Sequence, residues 1–115
     1  MNIPTSQTSL QVQQNIPELS IEHIQTFCQR HQVIEFALFG SILRDDFQAD
    51  SDIDVMVSFS EDAERGLTEM LQMRDELEAI FNRKVDLVVR SAIERSENWL
   101  RRKNILESAE TIYVA

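Results

Sequence analysis

Apolar residues recur at two different spacings along this chain, and these spacings predict helices and strands. From Ile21 to Cys28 the apolar positions fall every three or four residues after Ser20, a good N-cap, which predicts a first helix. Val33–Phe39, Ile53–Phe59 and residues 84–89 are short, apolar runs of strand-forming residues. We therefore predict three strands after the first helix.

Between the second and third strands, residues 61–81 show the spacing of a long amphipathic helix. Its apolar side chains are Leu67, Met70, Leu71, Met73, Leu77, Ile80 and Phe81. Ordinary packing against the core is the more frequent explanation for every one of them.

Shorter elements are predicted around these. Residues 42–46 suit a short helical turn, and residues 111–114 suit either an edge strand or a packed tail. Ser91 followed by Glu94 has the pattern of a capping box, which predicts a last helix carrying Trp99. The order α-β-(α)-β-α-β-α predicts an α/β or α+β fold on a small sheet.

The chain divides into an N-terminal arm and one domain. Residues 1–17 are rich in Gln, Ser, Thr and Asn with little apolar periodicity, and we predict a mobile arm that ends at Pro17. A chain of 115 residues suffices for one compact domain, here residues 18–115, but not for two. We find no internal repeat.

Charge and composition restrict the function. The formal net charge is -9, from 20 acidic and 11 basic residues, and an acidic surface repels nucleic acid. A basic protein partner or a metal-bridged nucleotide fits better, although solubility alone explains much of such a charge.

Cysteine content and the pattern of apolar residues indicate the compartment. Cys28 is the only cysteine, which excludes an intramolecular disulfide and suits a reducing cytoplasm. Residues 1–14 do not have the pattern of a signal peptide, and no apolar run approaches the roughly 20 residues that span a bilayer. We expect a cytoplasmic protein without a membrane partner.

Candidate chemistry begins with Asp52 and Asp54. Alternate side chains of a strand share a face, so the two carboxylates point the same way while Ile53 and Val55 point the other way. The two charges repel each other and lose hydration in a sheet, so a cation should compensate them. Mg²⁺ prefers oxygen ligands, but Arg44 in a structural salt bridge is the alternative, and two aspartates at this spacing often occur by chance.

A third carboxylate strengthens the case. Asp86 interrupts an otherwise apolar third strand, where a charge is costly unless it is paired or bound to metal. If the second and third strands are neighbours, Asp86 joins Asp52 and Asp54 in a cluster that suits phosphoryl transfer with one or two Mg²⁺ ions.

Gly40-Ser41 supplies the other half of the pattern. A strand that ends at glycine and enters a helical turn lets backbone N–H groups approach a phosphate, and the Ser41 hydroxyl is a further donor. Gly-Ser alone indicates only a turn. Its value is its fixed distance from the two aspartates, with ten residues between Ser41 and Asp52.

The complete pattern, Gly-Ser-x10-Asp-x-Asp, resembles the signature of the polymerase-β-like nucleotidyltransferase superfamily. Over residues 20–115 the chain looks most like its minimal members, the MNT proteins encoded beside HEPN-domain partners. The resemblance implies that fold, a small mixed sheet flanked by helices. It also implies metal binding and catalysis by Asp52, Asp54 and Asp86.

The same resemblance implies a substrate and a partner. ATP would be held at Gly40 and Ser41 with Arg44 nearby, and Mg²⁺ would be the cofactor. MNT proteins look like antitoxins of HEPN ribonuclease toxins, and the family implies transfer of AMP to a toxin tyrosine. A basic, RNA-cleaving partner would suit the acidic charge.

Departures and alternatives remain. Many relatives have glycine after the motif arginine, whereas Asp45 and Asp46 follow Arg44 here and are expected to weaken phosphate binding or shift the loop. A non-catalytic antitoxin that blocks its partner by binding, or an enzyme acting on a small hydroxylated molecule, are the competing functions. Trp99 and the basic run at 101–103 suit contact with a partner or ATP, but a core tryptophan and a solvated helix face are the more frequent explanation.

Overall fold

A computed structural model describes residues 8–63 and 66–115, in which four strands form one mixed sheet. The strands are β1 (Val33–Phe39), β2 (Ile53–Phe59), β3 (Val85–Val89) and β4 (Glu110–Val114), in the order β3-β2-β1-β4. β1 is antiparallel to both β2 and β4, and β2 is parallel to β3. The predicted mixed α/β fold is confirmed, and residues 110–114 form an edge strand.

Five α-helices and one 3-10 helix connect these strands in the described part of the chain. The α-helices are α1 (Leu10–Asn15), α2 (Ile21–Arg30), α3 (Leu67–Phe81), α4 (Arg90–Glu94) and α5 (Trp99–Ser108), and the 3-10 helix is Gly40–Leu43. None of the described helices is both long and apolar enough to cross a membrane.

The sheet has an apolar core on each face, and strand alternation sorts the side chains between them. The larger core packs α1, α2 and α3 on side chains such as Phe36, Val55 and Leu77. The smaller core joins Ala37, Phe39 and Met56 of the sheet to Ile93 of α4 and Ile105 of α5. Because Met56 faces the smaller core, Asp54, two residues earlier on β2, faces the same side.

The N-terminal segment differs from the predicted mobile arm. Residues 1–7 lie outside the described part of the chain, but residues 10–15 form α1, capped by the Ser9 side chain. Val12 and Ile16 are fully or almost fully buried in the larger core. Two apolar residues one helical turn apart are enough to fix this otherwise polar segment onto the domain.

The predicted C-terminal helix is wrong in its start and its continuity. α4 begins at Arg90, directly after β3, so Ser91 is not its N-cap. A second helix, α5, starts after Asn98, whose side chain accepts a hydrogen bond from the Arg101 amide. Trp99 therefore lies at a helix start and is 63% exposed, not part of a core.

Two further helices have bounds that differ from the predicted ones. α3 begins at Leu67 with Gly66 as its N-cap, not at residue 61, and residues 64 and 65 are outside the described chain. The predicted turn at residues 42–46 instead occupies Gly40–Leu43, and Arg44 is already extended.

Candidate active site

Asp54 and Asp86 are neighbours on one face of the sheet. The parallel register of β2 and β3 pairs Asp54 with Asp86 and Val55 with Leu87. Adjacent strands lie about 4.8 Å apart, so the two carboxylates leave the sheet side by side, toward the face covered by α4 and α5. Asp52 immediately precedes β2, on the same side by alternation.

Gly40 lies against the carboxyl group of Asp54. β1 pairs Phe39 with Asp54, and the chain then turns at Gly40, which has a φ of +77°. A Cβ atom at this position would overlap Oδ2 of Asp54 and lie 3.1 Å from its Cγ. Glycine is therefore required here twice, for the left-handed backbone and for the space that Asp54 occupies.

The pKa of Asp54 records how close the acidic groups are. Burial is the largest cause that raises the pKa of Asp54 above its usual value, and the charges of Asp86 and Asp52 raise this pKa further. Arg44 and Arg101 act in the opposite direction. The structure thus places the carboxylates of both Asp52 and Asp86 within electrostatic reach of Asp54.

Ser41 and Arg44 follow Gly40 in the chain, Ser41 within the 3-10 helix and Arg44 directly after it. Ser41 lies in the 3-10 helix, and its carbonyl oxygen accepts a hydrogen bond from the Arg44 amide at 2.9 Å. The Arg44 Nε donates to Asp46 Oδ1 at 3.1 Å, in an exposed ion pair. One of the two acids that follow Arg44 therefore pairs with its guanidinium, although the Arg44 charge still lowers the pKa of Asp54.

Two open clefts meet at the carboxylate pair. The α3 cleft, about 630 Å³, is lined by Asp52, Asp54 and Asp86 on the strand side and by α3 on the other. The α5 cleft, about 480 Å³, is lined by Asp54, Asp86, Gly40 and side chains of α5. A site open on both sides of a shared acidic centre can bring two substrates to the same point.

The α5 side of the site was not predicted as part of it. Leu100, Arg101 and Asn104 line the α5 cleft together with Gly40. Arg101 belongs to the basic run noted in the sequence, but a run of charges on a helix does not reveal which of its members faces a cleft. Arg101 lies on α5, after the break that separates it from α4, and lines the cleft that also contains Asp54.

The donor set suits a hard divalent cation in its chemistry. Carboxylate oxygens are the ligands that Mg²⁺ prefers. Burial and then the charges of Asp86 and Asp52 raise the pKa of Asp54, and a bound cation would offset both effects by favouring the ionised carboxylate. As the side chains stand, no group of three or more His, Cys, Asp or Glu residues in the described chain has the geometry to hold a metal ion. The residues therefore fit the cation by charge and ligand type, while their coordination geometry is not formed.

Comparison with known proteins decides the family. A family model described as a nucleotidyltransferase domain matches residues 20–112, which include every predicted site residue. This chain belongs to that family. It is a nucleotidyltransferase.

Curated relatives of this nucleotidyltransferase are named for transfer to proteins. A candidate protein adenylyltransferase of Methanocaldococcus jannaschii is 35% identical over 99 residues, covering 86% of this chain and 94% of the relative. The protein adenylyltransferase MntA of Thermococcus cleftensis is 31% identical over 80 residues, covering 70% and 79%.

Solved structures give the same fold. A candidate minimal nucleotidyltransferase superposes with a TM-score of 0.61 and 29% identity, covering 78% of this chain and 86% of that one. A toxin–antitoxin structure with AMP-PNP superposes with a TM-score of 0.65 at 17% identity, covering 84% and 75%. At that identity the second likeness shows the fold alone.

Proposed function

We propose that this nucleotidyltransferase is an antitoxin that transfers AMP from ATP to a tyrosine hydroxyl of a HEPN-domain toxin, in a Mg²⁺-dependent reaction. The observation that carries the proposal is the in-register pair Asp54 and Asp86 against Gly40, with a cleft on each side. The names of the relatives support a protein acceptor, and the toxin–antitoxin structure with AMP-PNP supports a toxin as the partner.

Each proposed site residue has a role that its position allows. Asp52, Asp54 and Asp86 would hold one or two Mg²⁺ ions, and bound Mg²⁺ would offset the charge of the triphosphate. Gly40 and Ser41, at the start of the 3-10 helix, would contact phosphate oxygens through backbone N–H groups and the hydroxyl. Arg44, whose charge already lowers the pKa of Asp54, would add positive charge near the phosphates.

The reaction forms one bond and breaks one. The tyrosine oxygen attacks the α-phosphorus in line with the bond to the β-phosphate, that bond breaks, and pyrophosphate leaves. The hydroxyl proton passes to the carboxylate of Asp86, the acid on the edge strand β3. The protein contributes mainly by positioning the two reactants and by balancing charge.

The effect on the toxin follows from charge. AMP adds a bulky anion near the surface through which RNA must enter, so RNA binding is lost. The net charge of -9 on the antitoxin would also favour association with a basic partner.

The test is the intact mass of the co-encoded HEPN protein after incubation with this chain, ATP and Mg²⁺. We expect a shift by whole AMP units, absent with Asp52→Asn and retained with Asp50→Asn, an exposed acid outside both clefts. A stable complex without any mass shift would instead establish an antitoxin that acts by binding. Release of pyrophosphate only with small hydroxylated molecules would establish the other alternative.

A further inference from the structure

The two clefts share Asp54 and Asp86 but differ in the charge of their outer walls. The α3 cleft carries four carboxylates, from Asp52, Asp54, Asp86 and Glu78, against the cations of Arg74 and Lys84. The Arg74 cation is already paired with Asp75 at 3.2 Å. Without a bound cation, a polyphosphate entering this cleft therefore meets net repulsion.

The α5 cleft has one cation, Arg101, and only two carboxylates, whereas Lys84 of the α3 cleft, which also has no ion pair in the described chain, shares that cleft with four. No carboxylate of the described chain forms an ion pair with Arg101, although its charge reaches Asp54. Its neighbour Arg102 instead donates to the Ser96 carbonyl at 2.7 Å, away from the carboxylates. Beside Arg101 lies Asn104, and across the cleft lies the backbone of Gly40, so the donors here suit phosphate oxygens.

The α3 cleft continues into an exposed apolar strip. Leu67 is 77% exposed and Leu71 is 42% exposed, and helical spacing places both beside Met70 on the face of α3 that borders the cleft. β3, on the opposite wall, is an edge strand with no strand beside its outer edge in the described chain. Exposed leucines next to a reaction centre are typical of a surface that binds protein.

We propose that the two clefts separate the two substrates: the α5 cleft binds the nucleoside triphosphate through Arg101, and the α3 cleft with its Leu67–Leu71 strip binds the hydroxyl-bearing segment of the protein acceptor. This assignment rests on the proposed function. A neutral hydroxyl on a basic segment suits the acidic α3 cleft, and the leucines contact apolar side chains that flank it. The attacking oxygen and the α-phosphorus then meet over the Asp54–Asp86 pair.

The experiment compares two variants in two binding measurements. Arg101→Gln and Leu71→Gln are both surface changes, each with a matched control: Lys103→Gln on the exposed part of α5, and Leu10→Gln, a 73% exposed leucine of α1. Titration calorimetry gives the Kd for AMP-PNP with Mg²⁺ on the chain alone, and the Kd for the purified HEPN partner without nucleotide. Thermal melts verify that each variant is folded.

We expect each variant to weaken only one of the two binding reactions. Arg101→Gln weakens AMP-PNP binding about tenfold or more, since it removes a charge-assisted contact to phosphate, and leaves partner binding unchanged. Leu71→Gln leaves AMP-PNP binding unchanged and weakens partner binding about tenfold. The reverse pattern, or an unchanged Kd for AMP-PNP in Arg101→Gln, would overturn the assignment.

Failure of the proposed function would look different. If the wild type binds AMP-PNP and the partner but transfers no AMP, the antitoxin acts by binding, and the two Kd values still decide the assignment of each cleft. If the wild type does not bind AMP-PNP at all, both proposals fail together with the donor site.

Discussion

At the scale of single residues, the Asp54 carboxylate is expected to serve the reaction while it lowers the stability of the fold. Its carboxyl group is half-buried, faces Asp86 in register and touches Gly40. We expect Asp54→Asn to reduce AMP transfer roughly a hundredfold or more, as loss of a preorganised charge does in other sites. The same change removes the repulsion and should leave the melting temperature equal to or above that of the wild type. Intact-mass assays and thermal melts check both halves, with Asp50→Asn as the control.

The raised pKa of Asp54 also gives this effect a pH dependence. Burial first, then Asp86 and Asp52, raise the folded-state pKa above the ordinary value of 3.8. Between the unfolded-state pKa and the higher folded-state pKa of Asp54, the folded state binds a proton that the unfolded state does not. The wild type therefore gains stability as the pH falls through this range. We expect the advantage of Asp54→Asn in urea unfolding to be largest near neutral pH and to disappear as the pH approaches 4. A pH-independent difference would mean that packing, not charge, separates the two proteins.

Gly40 is the residue whose replacement should disturb both the fold and the site. In Gly40→Ala the new methyl group would overlap the carboxylate of Asp54, and an L-residue at a φ of +77° costs roughly 1–2 kcal/mol by itself. We expect a lower free energy of unfolding and loss of AMP transfer. Gly66→Ala is the matched control, because among the described residues its Cβ would meet the Glu69 carboxyl group, with Oε1 at 2.6 Å, which is the end of a flexible side chain. Equal effects of the two changes would contradict the role given to Gly40.

At the scale of elements, α1 supports the turn that follows Gly40. The Asn15 side-chain amide donates to the carbonyl oxygens of Ile42 and Arg44, both at 2.8 Å. We expect Asn15→Ala to cost about 1–2 kcal/mol, since it removes two hydrogen bonds, and to slow AMP transfer by loosening the turn. Gln14→Ala, an exposed change in the same helix, should do neither. Urea unfolding and single-turnover mass assays separate the two variants, and an unchanged rate in Asn15→Ala would show that the turn is held without α1.

Strands were predicted better than helices, for a physical reason. β1 and β2 are largely apolar runs that are buried on both faces, and such runs can be predicted from a short stretch of sequence. α1 has only Val12 buried within a polar helix, so its stability comes from tertiary packing that a local pattern does not contain. The break before Asn98 is likewise set by the return of α5 over the smaller core, not by the capping pattern at Ser91.

At the scale of the whole molecule, the sequence predicted the acidic centre but not its surroundings. Strand alternation placed Asp52 and Asp54 on one face, and the interruption of an apolar strand singled out Asp86; the register of β2 and β3 then brings them together. Arg101 could not be selected, because it reaches this centre only through the packing of α5 across the sheet. The same limit applies to Arg44, whose pairing with Asp46 depends on loop geometry.

With a net charge of -9, Mg²⁺ can stabilise the protein in two ways, by screening the repulsion among all its charges or by binding at one specific site. Any salt screens the repulsion spread over the molecule, but a site at Asp52, Asp54 and Asp86 responds to Mg²⁺ beyond matched ionic strength in KCl. A ligand that binds only the folded state stabilises it by about 2.7 kcal/mol at 100 times its Kd, so AMP-PNP with Mg²⁺ should raise the melting temperature further. Asp86→Asn should start from an equal or higher melting temperature, since it removes one of the charges that act on Asp54, and should lose most of the Mg²⁺-specific increase. If the variant and the wild type gain equally from Mg²⁺, the cation acts on the overall charge, and the three aspartates do not form its site.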